Sequence, residues 1–234
     1  MNNQEAQVYG LNRFYGKIYA FLALGIGISA VISYMTLGPW AYQMGSFIQN
    51  FPLGFWGIWI AEIALVVFLG IKAQKNPTLA ISGFIVYSAL NGLTLAVTLA
   101  MYDLGTVTQA FVTASATFLV MSLVGSFTKR DLSGIGRAAL SCLLGIIIAM
   151  LLNVFVLHSG AVDFFISILM VVIMSGITAY DNQMIRKIYL GTNGEVGNGV
   201  AVFMALQLYL DFINLFISCL LYTSDAADDT PCVD

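Results

Sequence analysis

Charge is scarce in this chain. Asp, Glu, Lys and Arg supply 9% of its 234 residues, whereas hydrophobic residues supply 59%. That balance leaves too little polar surface to coat an ordinary soluble domain, and excludes one. No basic cluster suggests nucleic acid, and no low-complexity linker or long repeat divides the chain. Cysteine occurs only at Cys142, Cys219 and Cys232, without the paired spacing of a metal or redox site. The first two lie within apolar runs and read as buried apolar side chains. The one histidine, His158, lies in a connection beside Ser159 and Gly160, where a solvated side chain accounts for it. No cofactor is expected.

Apolar length is what the chain has. Runs cover residues 18–37, 53–71, 79–101, 106–127, 138–157, 162–180 and 200–221, each close to the ~20 residues a helix needs to cross a hydrocarbon core. They predict an all-α polytopic membrane protein with seven spans. Its parts are an N-terminal segment 1–17, a transmembrane domain 18–221 and an acidic tail 222–234. Basic residues before a first apolar run resemble a signal peptide, but this run is long and lacks a small-x-small cleavage site, so it reads as an uncleaved helix.

Drawing in the spans places every basic residue on one side. Arg13 and Lys17 precede the first run, and Lys72 and Lys75 lie between the second and third. Lys129, Arg130 and Arg137 lie between the fourth and fifth, while Arg186 and Lys187 follow the sixth. Cytoplasmic loops collect positive charge, so the amino end is expected inside and the carboxyl end outside. Ser88, Gly92, Ala96 and Ala100 in the third run form a stripe of small residues, as do Ser141, Gly145 and Ala149 in the fifth. Both predict close helix packing. The connection 38–52 carries Trp40, Tyr42, Phe47 and Phe51, followed by Trp56 and Trp59, an aromatic belt at the outer interface.

Three carboxylates fall where carboxylates are costly: Glu62, Asp181 and Asp211. An ionisable residue at membrane depth is by default functional and faces protein or water. Asp211 is midway along the seventh run, with Gln207, Asn214 and Ser218 at helical spacing, a polar stripe that lipid cannot accommodate. Asp181 lies toward the inner end of the sixth. Two carboxylates sharing a low-dielectric site cannot both ionise cheaply, so such a pair would keep a proton and exchange it for a cation. Calcium takes six to eight oxygen ligands. Two or three carboxylates with Asn and Gln amides would bind it weakly and transiently, as conduction requires.

Three segments acquire meaning together: Tyr87-Ser88-Ala89-Leu90-Asn91-Gly92-Leu93-Thr94, Ala179-Tyr180-Asp181-Asn182-Gln183, and the stretch from Ala205 through Gln207, Asp211 and Asn214 to Phe216. In this order they resemble the Bax inhibitor-1 family, most closely its short bacterial members. The resemblance implies seven helices with the last at the centre, in a bacterial inner membrane. It also implies a pH-sensitive calcium leak, or a proton-coupled calcium transporter, governed by Asp181 and Asp211. In the family a basic residue of helix two can engage the helix-six aspartate; Lys72 is the nearest candidate. Glu62, Gln207, Asn214 and Asn91 are candidate supporting residues. An alternative implied role is a non-enzymatic regulator of a membrane-bound quality-control protease. After about Ser218 the chain departs from the family, and its acidic tail reads as foreign to the rest.

An intramembrane aspartyl protease would also place aspartates on consecutive helices. It requires Gly-x-Gly-Asp, where this chain has Leu208-Tyr209-Leu210-Asp211, and a Pro-Ala-Leu segment that does not follow. A retinal protein would need a lysine in the seventh run, which has none. The chain is therefore expected to act without catalysis.

Overall fold

A computed structural model describes residues 3–228, and the regular structure among them is entirely helical. The helices are α1 (Asn3–Leu37), α2 (Ala41–Asn50), α3 (Pro52–Lys72), α4 (Pro77–Leu99), α5 (Leu104–Phe127), α6 (Ser133–Leu152), α7 (Gly160–Gly191) and α8 (Asn198–Asp228), with a π turn, Asn153–Leu157, continuing α6. Six of them, α1 and α4 through α8, are long and apolar enough to cross a membrane. The protein is a multi-pass membrane protein. The end of the acidic tail, with Cys232, lies outside the described residues.

The helix starts follow from sequence. Pro52 and Pro77 open α3 and α4, where a missing N–H costs nothing. Asn76 accepts the Leu79 N–H at 3.2 Å, and Asp103 accepts those of Gly105 and Thr106 at 2.8 and 3.0 Å, so side chains satisfy amides that the first turn leaves open. The aromatic connection 38–52 is not irregular. It contains α2, none of whose residues is buried. Helical closure pairs its backbone groups internally and leaves Trp40, Tyr42 and Phe47 exposed, as an interfacial helix requires.

The chain forms two compact units, one holding residues up to Met101 with Ile188–Tyr209, the other Tyr102–Lys187 with the chain from Leu210. In the first unit the stripe on α4 packs as expected through Ala96, whereas Ala100, just past the helix end, is exposed. Ser88 and Ala96 are fully buried, and a Cβ on Gly92 would lie 2.8 Å from the Ser29 carbonyl oxygen. Ser29 and Ser33 on α1 donate to the Ser88 and Gly92 carbonyls, each at 2.7 Å. The α1 and α4 backbones are thus in contact, as small residues permit.

In the second unit the stripe on α6 does not pack. Ser141 is exposed, and a Cβ on Gly145 would meet nothing within 4 Å. The buried face of α6 carries Gly136, Ala139 and Ile146 instead. Cys142, expected to be buried, is exposed beside the open stripe, whereas Cys219 is buried. After α6, buried Asn153 holds the π turn. Its amide nitrogen donates to the Ser159 carbonyl and to Asp163, and its oxygen accepts the Ser159 N–H. His158 takes the left-handed conformation there, with φ 48° and its side chain exposed.

Candidate functional site

One stretch of α7 organises the second unit. From Ala179 to Gln183 each side chain or backbone group meets a different neighbour, because successive helical residues point about 100° apart. A Cβ on Gly125 of α5 would lie 2.9 Å from the Ala179 Cα, so α5 and α7 touch backbone to backbone. The Tyr180 ring covers Gly136 of α6, where a Cβ would come within 2.6 Å of it. The Asp181 and Asp211 carboxyl groups are neighbours, bringing α7 and α8 together here. Asn182, fully buried, donates to Ser122 Oγ of α5 at 3.1 Å and to the Thr178 carbonyl at 2.8 Å. Gln183 clamps the α5–α6 connection from both ends of its amide. It accepts the Leu132 N–H at 2.8 Å and donates to the Arg130 carbonyl at 2.7 Å.

The aspartate pair has a definite electrostatic character. Asp211 is 4% exposed and Asp181 is half-buried. A hydrogen bond between two carboxyl groups requires a proton on one of them, since two carboxylates offer only acceptors. The Asp211 Oδ2 atom is buried without a hydrogen-bond partner, leaving one acceptor of the pair unsatisfied in a surrounding where such atoms are rare. Phe212, the next residue, meets Phe111 and Phe118 of α5 edge-on, with ring centroids 5.8 and 5.6 Å apart. Aromatic packing therefore fixes the turn of α8 that carries Asp211.

The helix around Asp181 does not stop at Tyr180. It continues to Gly191, so Asp181 is flanked by helix on both sides. On that extension Lys187 forms an ion pair with Asp131 of the α5–α6 connection, the one such pair among the described residues. Hydrogen bonds from Lys187 and Ser133 hold the Asp131 carboxyl well below the usual carboxylate range. Both partners are exposed to solvent.

The remaining candidates separate. In the first unit, half-buried Glu62 of α3 accepts from Thr94 Oγ1 of α4 at 3.0 Å and bonds to Asn91. Asn91 Oδ1 accepts the Tyr209 hydroxyl of α8 at 2.8 Å, and that hydroxyl also pairs with Ser29 Oγ of α1. The rings of Phe84 and Tyr87 stand edge-on to Tyr209. Four helices thus meet in one buried polar chain. Lys72 is exposed in the last turn of α3. Along the α8 stripe, Asp211 and Ser218 are buried, Gln207 is half-buried and Asn214 is exposed. Asn214 and Ser218 turn back onto carbonyls of their own helix, so the stripe is not an interhelical seam throughout.

Asn182, Gln183, Tyr209 and Ser29 make contacts that composition did not single out. An amide beside an intramembrane acid, and a tyrosine two residues before another, were the available signals.

The chain is similar to known proteins over nearly its whole length. The family described as "Inhibitor of apoptosis-promoting Bax1" matches residues 11–225. An uncharacterized membrane protein of Streptococcus pyogenes serotype M1 is 46% identical over 211 residues, covering 90% of this chain and 92% of its own. Protein YrjE of Lactococcus lactis is 43% identical over 208 residues, 89% of this chain and 88% of its own. A protein of Borreliella burgdorferi is 35% identical over 232 residues, 98% and 99% of the two chains.

Proposed function

The chain belongs to the Bax inhibitor-1 family, and from that premise we propose a pH-sensitive calcium leak of the bacterial inner membrane, gated by Asp181 and Asp211 without catalysis. The observation that carries this reading is the meeting of Asp181 with buried Asp211 between α7 and α8, a pair that shares one proton. When a proton bridges the pair, α7 and α8 are held together and the path is narrow. As pH rises the proton leaves, and the two carboxylates repel across a poorly screened interior. The helices part there, and a cation takes the place of the proton. Buried Asp211 Oδ2 supplies an acceptor without first having to give up another partner. Two carboxylates fall short of calcium's preferred shell, which favours passage over retention. Protons and calcium are thus the partners of the site, and calcium is cargo.

In this reading α3, 21 residues long with Glu62 and Lys72 as its only charges, completes seven spans around a central α8. α8 is the most deeply buried of the six spans, with about two-thirds of its apolar stretch covered by protein, which favours that placement. The asymmetry of basic residues puts the amino end in the cytoplasm; a cysteine at position 129 should then react with an impermeant reagent only from the inner face.

The decisive measurement is calcium flux into liposomes over a pH series. Asp181→Asn and Asp211→Asn should each flatten the pH response. The double variant should add little to the more severe single one, because residues that share a proton do not act additively. Additive effects would show that the two titrate separately. Unchanged flux in both single variants would refute gating by the pair and put a role in protease regulation ahead.

A further inference from the structure

A cavity of about 570 Å³ lies in the first unit, between the foot of α1 and the α7–α8 connection. Its volume is within the roughly 300–1,000 Å³ of small-ligand sites. Arg13 and Lys17, one helical turn apart on α1, both line it, with Asn198 opposite, and no carboxylate is among its lining residues. The walls are closely built. The Tyr189 ring packs against Phe14, with centroids 5.6 Å apart, and its hydroxyl lies so near Gly10 that any side chain there would collide with it. On the other side, a Cβ on Gly194 would come within 3.0 Å of the same hydroxyl, and Gly194 has φ +85°, a conformation that favours glycine. Lys17 donates to the Asn198 side-chain oxygen, which fixes the ammonium toward the cavity and leaves its other protons for a ligand.

We infer that this cavity binds a phosphate group. Arg offers a planar fork suited to phosphate oxygens and Lys a mobile point charge, and the lining has no anion to neutralise them. The position suits a phospholipid headgroup: the two cations immediately precede the apolar run beginning at Ile18, the level of the lipid phosphates. Basic pockets between spans on the cytoplasmic side are where anionic headgroups dock. A soluble phosphate compound presents the same chemistry. The site shares no residue with the aspartate pair, so it stands whether or not the leak does.

The test is fluorescence anisotropy of a labelled phosphatidylglycerol added to the full-length protein in neutral detergent. Labelled phosphatidylcholine, whose choline offsets its phosphate, is the comparison. Phosphatidylglycerol should bind in preference. Arg13→Gln and Lys17→Gln should each weaken it roughly five-fold, and together abolish the preference. Arg13→Lys, which keeps the charge but not the fork, should bind more tightly than Arg13→Gln and so separates loss of charge from loss of fold. Displacement by inorganic phosphate at constant ionic strength would assign the site to soluble phosphate; resistance to it would assign the site to the lipid. Undiminished binding by the double variant would overturn the inference. So would an equal loss in Lys75→Gln, since diffuse surface charge would then explain everything.

Discussion

Gly125→Ala tests the link between helix packing and the aspartate pair. A Cβ at this position would fall against the Ala179 carbonyl, 2.8 Å from its carbon and nearer still to its oxygen. Ordinary contact begins near 3.4 Å, so α5 and α7 must part by more than the roughly 0.6 Å that clearing the carbon alone requires, because the oxygen is nearer. The obstacle is backbone and cannot rotate away. Overpacking of this kind costs about 1–3 kcal/mol. Ala179 is two residues before Asp181, so the displacement reaches the carboxyl directly, and hydrogen bonds weaken steeply over a few tenths of an ångström. Thermal denaturation of the purified protein should show the loss of stability, and flux over the pH series should show a weaker pH response. Gly145→Ala is the control. It adds the same methyl where nothing lies within 4 Å and should stabilise α6 by about 0.5–1 kcal/mol, the ordinary preference for Ala over Gly in a helix. Equal stability of the two variants would refute the argument, because the α5–α7 contact would then be neither tight nor coupled to the pair.

Gln183→Ala should free the α5–α6 connection: it removes the acceptor of the buried Leu132 N–H, at a cost of about 1–3 kcal/mol, and hydrogen exchange should rise over residues 130–132. Tyr209→Phe keeps the ring and deletes the hydroxyl that joins Asn91 to Ser29; thermal denaturation should register a loss of about 1–2 kcal/mol, and none would mean that the polar chain contributes no stability. Asp131 supplies a test by pH. Its carboxyl is depressed in the folded protein, so its contribution is complete above the unfolded value near 3.9 and is lost only as pH falls through the lower folded value. Asp131→Asn should therefore leave the slope of flux against pH unchanged between about pH 5 and 8, and a changed slope would implicate the loop in sensing.

The spans were legible because lipid demands long apolar runs, and a carboxylate inside such a run declares itself. That made Asp211 and Glu62 visible. Asp181 was visible too, but its setting was not, since the polar residues from Asp181 to Lys187 end the hydropathy signal without ending the helix. Hydropathy reports what faces lipid, whereas α7 continues because its backbone bonds and its contacts with α5 and the α5–α6 connection are satisfied. The small-residue stripes show a second boundary. Spacings of four looked alike on α4 and α6, yet only α4 has a partner backbone against its stripe; a flat face permits close approach and cannot specify which helix comes near. The aromatic stretch before Pro52 announced an interface but not α2, because anchoring and helix formation use the same residues.

The contacts made by Asp181, Asn182 and Gln183 make α7 resemble a keyed shaft. Three consecutive teeth engage three different seats, so turning the helix by even one residue, about 100°, disengages all of them at once. Axial spin is thereby locked. Tilting can open the carboxyl pair while the amides of Asn182 and Gln183 keep their seats, so the helix has a hinge side and an opening side. Under the proposed gating by Asp181 and Asp211, opening is expected to be a lever movement with its fulcrum at the α5 face, and a distance measured across Asp181 should change far more than one measured across Asn182.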